Sequence, residues 1–230
     1  MSKVATEPRT RGNTRLRLIL AAEKLFGDKG IHGVTLKEIN GAAGQRNESA
    51  LHYHFGSKPA LVQAIMAHRA RDIDMRRVEM VDAVLAEGRD GDLPSVLRAL
   101  FQPMTDMLND PDGVRFVRFL AQVLNDPDFD LPDLALRGNL PGIKRGNQLL
   151  IAALADLPPE IAIQRQRSLI EMAVSSLAIW TRHHDGMGDV NERNLFVANL
   201  FDCLQGFVTA PVAENTIRLL QKVIRGNEKK

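Results

Sequence analysis

The stretch TLKEINGAAGQRNESALHYHFGSK, residues 35–58, decides the fold of the N-terminal part of the chain. Thr35 and Glu38 have the spacing of a capping box, in which each side chain accepts a hydrogen bond from the other residue's backbone N–H. A helix is therefore predicted to follow Thr35, and Gly44 is predicted to end it. Asn47 is a suitable cap for the next helix, because its side-chain oxygen can accept the N–H two or three residues on. The stretch thus predicts two short helices joined by a turn.

Apolar residues recur at helical spacing along almost the whole chain, and we find no alternating run of β-branched residues flanked by hairpin turns. We therefore predict an all-α fold. A first helix covers about residues 13–28, and Ser57 caps a fourth helix at 58–87, whose first turn tolerates Pro59. Further helices are predicted at 94–108, 112–124, 133–155 with an interruption near Pro141, 160–184, 191–209 and 211–225.

The composition is ordinary for a folded, soluble protein of 230 residues, with 44% hydrophobic and 25% charged residues. The longest apolar runs are far below the roughly 20 residues that span a bilayer, and the N-terminus lacks the apolar core of a secretory signal. The single cysteine, Cys203, excludes an intramolecular disulfide. A reducing, cytoplasmic setting without membrane contact is therefore expected. The apolar helix around Cys203 predicts a buried thiol.

Charge is unevenly distributed along the chain. Residues 1–60 hold ten Lys/Arg and five Asp/Glu, a net charge of +5, whereas residues 61–230 hold twenty Lys/Arg and twenty-three Asp/Glu, a net charge of −3. A short basic end suggests that the first sixty residues face a polyanion. Taken alone, this charge is equally well explained by a solvated surface.

The histidine-rich positions do not favour a metal site. On a helix, the side chains of His52 and His54 diverge by about 200°, so they cannot share a metal ion. His183 and His184, followed by Asp185, lie at a predicted helix end, where the partial negative charge of the last carbonyls favours histidine. The sequence shows neither a nucleophile–histidine–acid arrangement nor a glycine-rich phosphate loop. We expect no metal, no cofactor and no enzymatic activity.

The start of the second short helix is rich in side chains that read base edges. Arginine suits guanine, asparagine or glutamine suits adenine, and glutamate accepts from cytosine. Two short helices after a third, within the basic end of the chain, predict a helix-turn-helix whose second helix enters the major groove of DNA. The alternative is a helical hairpin with a solvated polar face.

The segments LILAAEKLFGDKGIHGVTLKEINGAAG (18–44) and NESALHYHFGSKPAL (47–61) resemble the DNA-binding region of TetR-type (tetracycline-repressor family) transcriptional regulators. The resemblance implies an all-helical homodimer that binds a palindromic double-stranded DNA operator, commonly as a repressor, and releases it when a small-molecule effector binds. An activator is an option within the same family. The implied organisation is a flexible basic arm (1–12), a helix-turn-helix domain (13–56) and a helical ligand-binding and dimerisation domain (57–230).

The resemblance also implies roles for single residues. Those implied to hold the DNA backbone are Thr35, Lys37, Tyr53, His54 and Lys58. Those implied to face bases are Gln45, Arg46, Asn47, Glu48, Ser49, Ala50 and His52. Two features depart from the family pattern: the turn holds one extra residue at Gln45–Arg46, and Gly41 lies within a helix. Gly41 costs about 1 kcal/mol relative to alanine, which indicates either close helix packing or simple tolerance.

The larger domain contains a Met- and Phe-rich set of residues that suits an adaptable apolar cavity, with ordinary core as the alternative. Its members are Phe101, Met104, Met107, Phe116, Phe119, Leu120 and Val123. Arg115 and Arg118 lie beside them; an inward orientation would favour an anionic ligand such as a carboxylate, but exposure is expected.

Two late helices carry apolar stripes that, in the family, pair with their twofold mates. The residues are Ile170, Val174, Leu177, Val197, Leu200, Phe201 and Leu204, and monomer core is the alternative role. A helical small-molecule-binding protein or enzyme with an incidental basic N-terminus is the alternative function.

Overall fold

The computed structural model describes residues 9–45, 47, 49–129, 140–184 and 187–227, and this part of the chain contains helices and no β-strand. The predicted all-α fold is confirmed. The helices are α1 (Arg9–Lys29), α2 (Leu36–Ala42), α3 (Ala50–Phe55), α4 (Lys58–Ala86), α5 (Leu93–Thr105), α6 (Pro111–Leu124), α7 (Pro141–Ala153), α8 (Pro159–His183), α9 (Val190–Thr209) and α10 (Glu214–Asn227), with a 3-10 helix (Asp106–Asn109) between α5 and α6.

Helix α1 begins earlier than the sequence analysis predicts. It starts at Arg9 rather than near residue 13, so residues 9–12 are helical and not part of a flexible arm. Proline is compatible with a helix start, so nothing after Pro8 prevents the helix from beginning at once. The rest of the predicted arm, residues 1–8, lies outside the described residues. Gly30, with φ of +80°, follows the end of α1 as predicted.

The side-chain caps predicted around α2 and α4 are present. Thr35 Oγ1 accepts the Glu38 N–H at 3.2 Å, and Glu38 Oε2 accepts the Thr35 N–H at 2.8 Å. Ser57 Oγ accepts the Ala60 N–H at 3.3 Å. Asn47 differs in part: its Oδ1 accepts the Ser49 N–H at 2.9 Å, but α3 begins only at Ala50. Asn47 therefore shapes the turn that leads into α3.

Some boundaries in the larger domain also differ from the prediction. The single helix predicted at 94–108 ends at Thr105 and continues as the 3-10 helix. Helix α7 begins at Pro141, where an interruption was predicted, and residues 133–139 lie outside the described part of the chain. Helix α10 begins at Glu214 rather than at Pro211.

The N-terminal helices pack directly against the larger domain. The rings of Phe26 on α1 and Phe119 on α6 stack with centroids 6.1 Å apart. A β-carbon on Gly27 would lie 2.7 Å from the Arg115 carbonyl oxygen, so glycine permits the close approach of α1 and α6. A continuous buried core extends from Leu18 on α1 to Val208 on α9. The two units are thus held together by shared packing.

Polar contacts cross the same boundary. Glu23, which is 3% exposed on α1, accepts three hydrogen bonds of 2.7–3.1 Å from the Arg69 guanidinium on α4. The Arg69 pKa is raised, first by this hydrogen bonding to Glu23. His32, in the loop after α1, lies 2.8 Å from the buried Asp126 carboxylate after α6.

Cys203 is exposed on α9, so the prediction of a buried thiol is wrong. The buried face of α9 is formed by Leu200, Phe201 and Leu204, and Cys203 is turned about 100° from Leu204 on the helix. Within the described residues, no single helix meets the length and hydropathy expected of a membrane span; Val190–Thr209 and Glu214–Gly226 meet them only as a pair bent by 59°.

Candidate nucleic-acid interface

Helix α3 has one buried side and one exposed side. Leu51 on α3 and Ile39 on α2 are both fully buried, and they anchor the two short helices to the core. On the other side of α3, His52 and Tyr53 are exposed, and Tyr53 keeps 69% of its accessible surface. Gly44 adopts φ of +67° between the helices, a conformation that glycine provides at little cost. The predicted helix-turn-helix geometry is thereby present.

The predicted DNA-contact residues divide into three groups by exposure. The exposed residues are Thr35, Lys37, Asn47, Ser49, His52 and Tyr53. The partly buried residues are Gln45, Ala50, His54 and Lys58. Arg46 and Glu48 lie outside the described residues. Gln45 is folded back on the turn, because its Nε2 donates to the Ala43 carbonyl oxygen at 3.3 Å.

Thr35 is held by an ionised carboxylate. Its hydroxyl donates to Glu38 Oε2 at 2.9 Å, and Lys29 Nζ lies 3.0 Å from Glu38 Oε1. Hydrogen bonding from the Thr35 backbone N–H, followed by bonds from Lys29 and the Thr35 hydroxyl, lowers the Glu38 pKa from 4.5 to about 2. The capping box is therefore charged at neutral pH, and it fixes the start of α2 beside the exposed Lys37.

Lys58 is directed into the protein. Its Nζ donates to the Ile31 carbonyl oxygen at 2.6 Å and lies 5.7 Å from the centre of the Phe26 ring. Burial lowers the Lys58 pKa, and the nearby charge of Glu38 opposes that shift. In this arrangement Lys58 ties the start of α4 to the loop after α1, and its predicted contact with the DNA backbone stays a prediction.

Aromatic contacts orient the end of α3. The Tyr53 and His54 rings meet edge to face with centroids 5.2 Å apart, and His54 also contacts Phe55. The Arg15 guanidinium on α1 lies 5.2 Å from the centre of the Phe55 ring. Sequence reasoning did not single out Arg15. The sequence feature that could have identified Arg15 is its position as a basic residue of α1 within the positively charged end of the chain.

The structure places the two histidines of α3 on one helix, as the argument against shared metal binding requires. Across the described residues, no group of three or more His, Cys, Asp or Glu side chains is arranged to hold a metal ion.

The residues predicted to line a ligand cavity are packed as core. Phe101, Met104, Phe116, Phe119, Leu120 and Val123 are buried, and Met107 packs against them. A cavity of about 330 Å³ opens between α1, α2, α4 and α6, and another of about 220 Å³ opens between α5 and α9. Neither of these two cavities is lined by any of the seven predicted residues. Arg118 is tied to α8, because it donates to the Thr181 hydroxyl and carbonyl oxygens at 3.2 and 2.6 Å.

The residues predicted for dimer contact also lie mainly inside the protomer. Val174, Leu177, Leu200, Phe201 and Leu204 are buried within a single chain, whereas Ile170 and Val197 are partly buried. Helices α8 and α9 pack against each other and against the rest of the larger domain, so these stripes fill the core of the protomer. The large exposed apolar side chains of these two helices belong to residues that were not predicted for dimer contact: Ile163, Ile179, Val190, Leu195 and Phe207.

The geometry defines a class of protein, an all-α protein with an N-terminal helix-turn-helix and a larger helical domain. Residues 18–65 match the family described as bacterial regulatory proteins, tetR family. Residues 98–210 match the tetracyclin repressor-like, C-terminal domain family. The chain belongs to the TetR family of transcriptional regulators, and the resemblance found in the sequence is confirmed.

Solved structures share this fold. A tetR family transcription regulator from Shewanella sp. PV-4 is similar with a TM-score of 0.54 and 18% identity, over 83% of this chain and 97% of that one. NalD from Pseudomonas aeruginosa, the secondary repressor of the MexAB-OprM multidrug efflux pump, is similar with a TM-score of 0.53 and 19% identity, over 85% and 97% of the two chains. No curated protein sequence matches the chain.

Proposed function

We propose that this regulator is a homodimeric repressor that binds a palindromic operator and releases it when a small molecule binds to the larger domain. The observation that carries the proposal is α3, a short helix anchored by Leu51 whose other side presents His52 and Tyr53 to solvent. A helix exposed in this way, after a turn and a capped α2, has the form that enters the major groove.

The exposed side chains suggest a division of roles on DNA. Lys37 and Tyr53 offer donors to phosphate oxygens, and Asn47, Ser49 and His52 offer hydrogen bonds to base edges. Arg46 and Glu48 keep the base-reading roles that the family resemblance implies for them. The extra residue of the turn makes Gln45 and Arg46 the place where operator preference is expected to differ from other family members.

The first experiment is selection of binding sites from random-sequence DNA and from the protein's own promoter, followed by footprinting. We expect protection of a palindrome whose half-site centres are about one helical turn of DNA, or a multiple of it, apart. Failure to protect any palindrome, with or without candidate effectors, would contradict the proposal.

The second experiment tests the interface directly. Replacing Lys37 with alanine is expected to weaken operator binding and to lower the slope of log K against log salt by about 1, because one phosphate contact is lost. Lys222→Ala is the matched control, since Lys222 is an exposed lysine of α10 in the larger domain. A helical binding protein or enzyme with an incidental basic end would show no effect of Lys37→Ala on its activity.

Binding experiments identify the effector. Because Phe101, Phe116 and Phe119 are buried, a ligand that reaches them from solvent has to displace the side chains that cover them. We propose that such a ligand is small and largely apolar. A thermal-shift screen over acyl thioesters, aromatic acids, steroids and drugs, with identification of neighbouring genes, tests this; release of operator DNA by a hit is the expected result.

A further inference from the structure

The cavity of about 330 Å³ lies at the junction between the DNA-binding region and the larger domain. Part of its wall is apolar and comes from Leu20 and Ala21 of α1 and from Ala42 and Ala43 at the end of α2. Leu20 keeps 43% of its surface exposed, so an apolar ligand portion would find uncovered hydrocarbon there. The volume is within the range that small-molecule sites occupy.

Charged side chains complete the wall of the cavity. Some of them form ion pairs with one another and others do not. Glu23 is bound by the Arg69 guanidinium, and Asp112 is paired with Arg115. These two pairs leave no net charge. Arg17 and Lys24 also line the cavity, and within the described residues neither is paired with a carboxylate.

The two remaining cations lie on the same face of α1. Arg17 and Lys24 are seven residues apart, about 10 Å along the helix, with the apolar Leu20 and Ala21 between them. Among the residues that the structure describes, the Arg17 side chain makes a single long hydrogen bond, of 3.5 Å, to the Thr14 hydroxyl of its own helix. Apolar surface flanked by two cations that have no carboxylate partner among the described residues complements a molecule with a hydrocarbon body and one negatively charged group.

We propose that this cavity is a binding site for a small apolar carboxylate, whose hydrocarbon part contacts Leu20 and the alanines and whose carboxylate pairs with Lys24 or Arg17. The site is separate from the Met- and Phe-rich cluster of the larger domain. Its wall combines residues from the first family match, 18–65, with Asp112 and Arg115 from the second, 98–210. A ligand there contacts both units at once, so its affinity depends on their relative position.

Calorimetric titration of the full chain with decanoate tests the site. Wild-type protein is expected to bind about one decanoate per chain. Ala42→Trp places an indole in the cavity mouth from an exposed position and is expected to weaken binding at least about tenfold. Lys24→Gln is expected to weaken decanoate binding about twofold to fivefold, the effect of one exposed ion pair, and to leave decan-1-ol binding unchanged.

Ala198→Trp is the matched control, because Ala198 is an exposed helical alanine that lines the other cavity, between α5 and α9. Its decanoate affinity is expected to equal that of the wild type. Wild-type affinity in Ala42→Trp, or an equal loss in Ala198→Trp, would overturn the proposal. Because the titration contains no DNA, its outcome is independent of whether the chain acts as a repressor.

Discussion

Gly41 illustrates what one residue reveals about helix α2. Within the described part of the chain, no heavy atom outside the local helix backbone lies within 4 Å of the position that a β-carbon would occupy, so close helix packing does not explain this glycine. Of the two explanations that the sequence left open, tolerance is the one that the structure supports. Gly41 therefore lowers the helix propensity of a seven-residue helix with no packing benefit in return.

Replacing Gly41 with alanine is expected to raise the free energy of unfolding by about 0.5–1 kcal/mol, because alanine has less backbone freedom to lose on folding. Urea denaturation, monitored by circular dichroism, measures the change in the free energy of unfolding. Gly44→Ala is the control, since a β-carbon on Gly44 would also meet no neighbouring atom of the described residues within 4 Å, but the φ of Gly44 is +67°. It is expected to destabilise the protein, and a stabilising Gly44→Ala would contradict the explanation from backbone conformation.

At the scale of the element, a buried polar network joins three helices. The Asp74 carboxylate on α4 accepts the N–H groups of Gly142 and Ile143 at the start of α7, at 2.9 and 2.8 Å. Arg77 Nη1 donates to Asp74 at 3.1 Å, and Arg77 Nε donates to the Leu100 carbonyl oxygen of α5 at 2.9 Å. Burial lowers the Arg77 pKa, and Asp74 opposes that shift.

Replacing Asp74 with alanine is expected to lower the free energy of unfolding by about 3–5 kcal/mol, because a buried guanidinium and two backbone N–H groups lose their partner. Asp82→Ala, which breaks a surface pair with Arg145, is expected to cost at most about 1 kcal/mol. Both are measured by urea denaturation. Similar losses of free energy in the two variants would show that the buried network of Asp74 contributes no more stability than an exposed ion pair.

Features that depend on neighbouring residues are predicted by the sequence alone, whereas features that depend on the tertiary fold are not. The caps at Thr35 and Ser57 use neighbours within three residues, so residue spacing was sufficient to place them. Asp74 and Arg77 have the same i, i+3 spacing as exposed helix pairs, and only the tertiary fold buries them. Likewise, apolar periodicity located Phe116 and Phe119 on an inner face, but it does not distinguish packed core from a cavity wall.

At the scale of the whole molecule, exposed apolar side chains suggest where two copies meet. Leu195, on α9, is 71% exposed, and Ile163 and Ile179 on α8 are 44% and 50% exposed. Cys203 is exposed on the same helix as Leu195. We propose that these outer faces of α8 and α9 form the dimer interface, in place of the buried stripes on their inner faces.

Leu195→Glu is expected to weaken dimerisation by about a hundredfold or more, because it places a charge within an apolar interface. Sedimentation equilibrium measures the dissociation constant. Leu16→Glu is the control, because Leu16 is 40% exposed on α1 of the DNA-binding region. An unchanged dissociation constant for Leu195→Glu would place the interface elsewhere.

Helix α4 extends from the buried network at Asp74 to the DNA-binding region. Because the helix is long, a small change in its tilt displaces its N-terminal end by a larger distance. From Asp74 to Lys58 the helix rises about 24 Å. A tilt of about 5° around the fixed Asp74 moves the Lys58 end by about 2 Å. Two protomers that read half-sites one helical turn apart need their α3 helices spaced by about 34 Å. In the dimer that we propose, a rotation of α4 by a few degrees about Asp74 would thus change the distance between the two α3 helices.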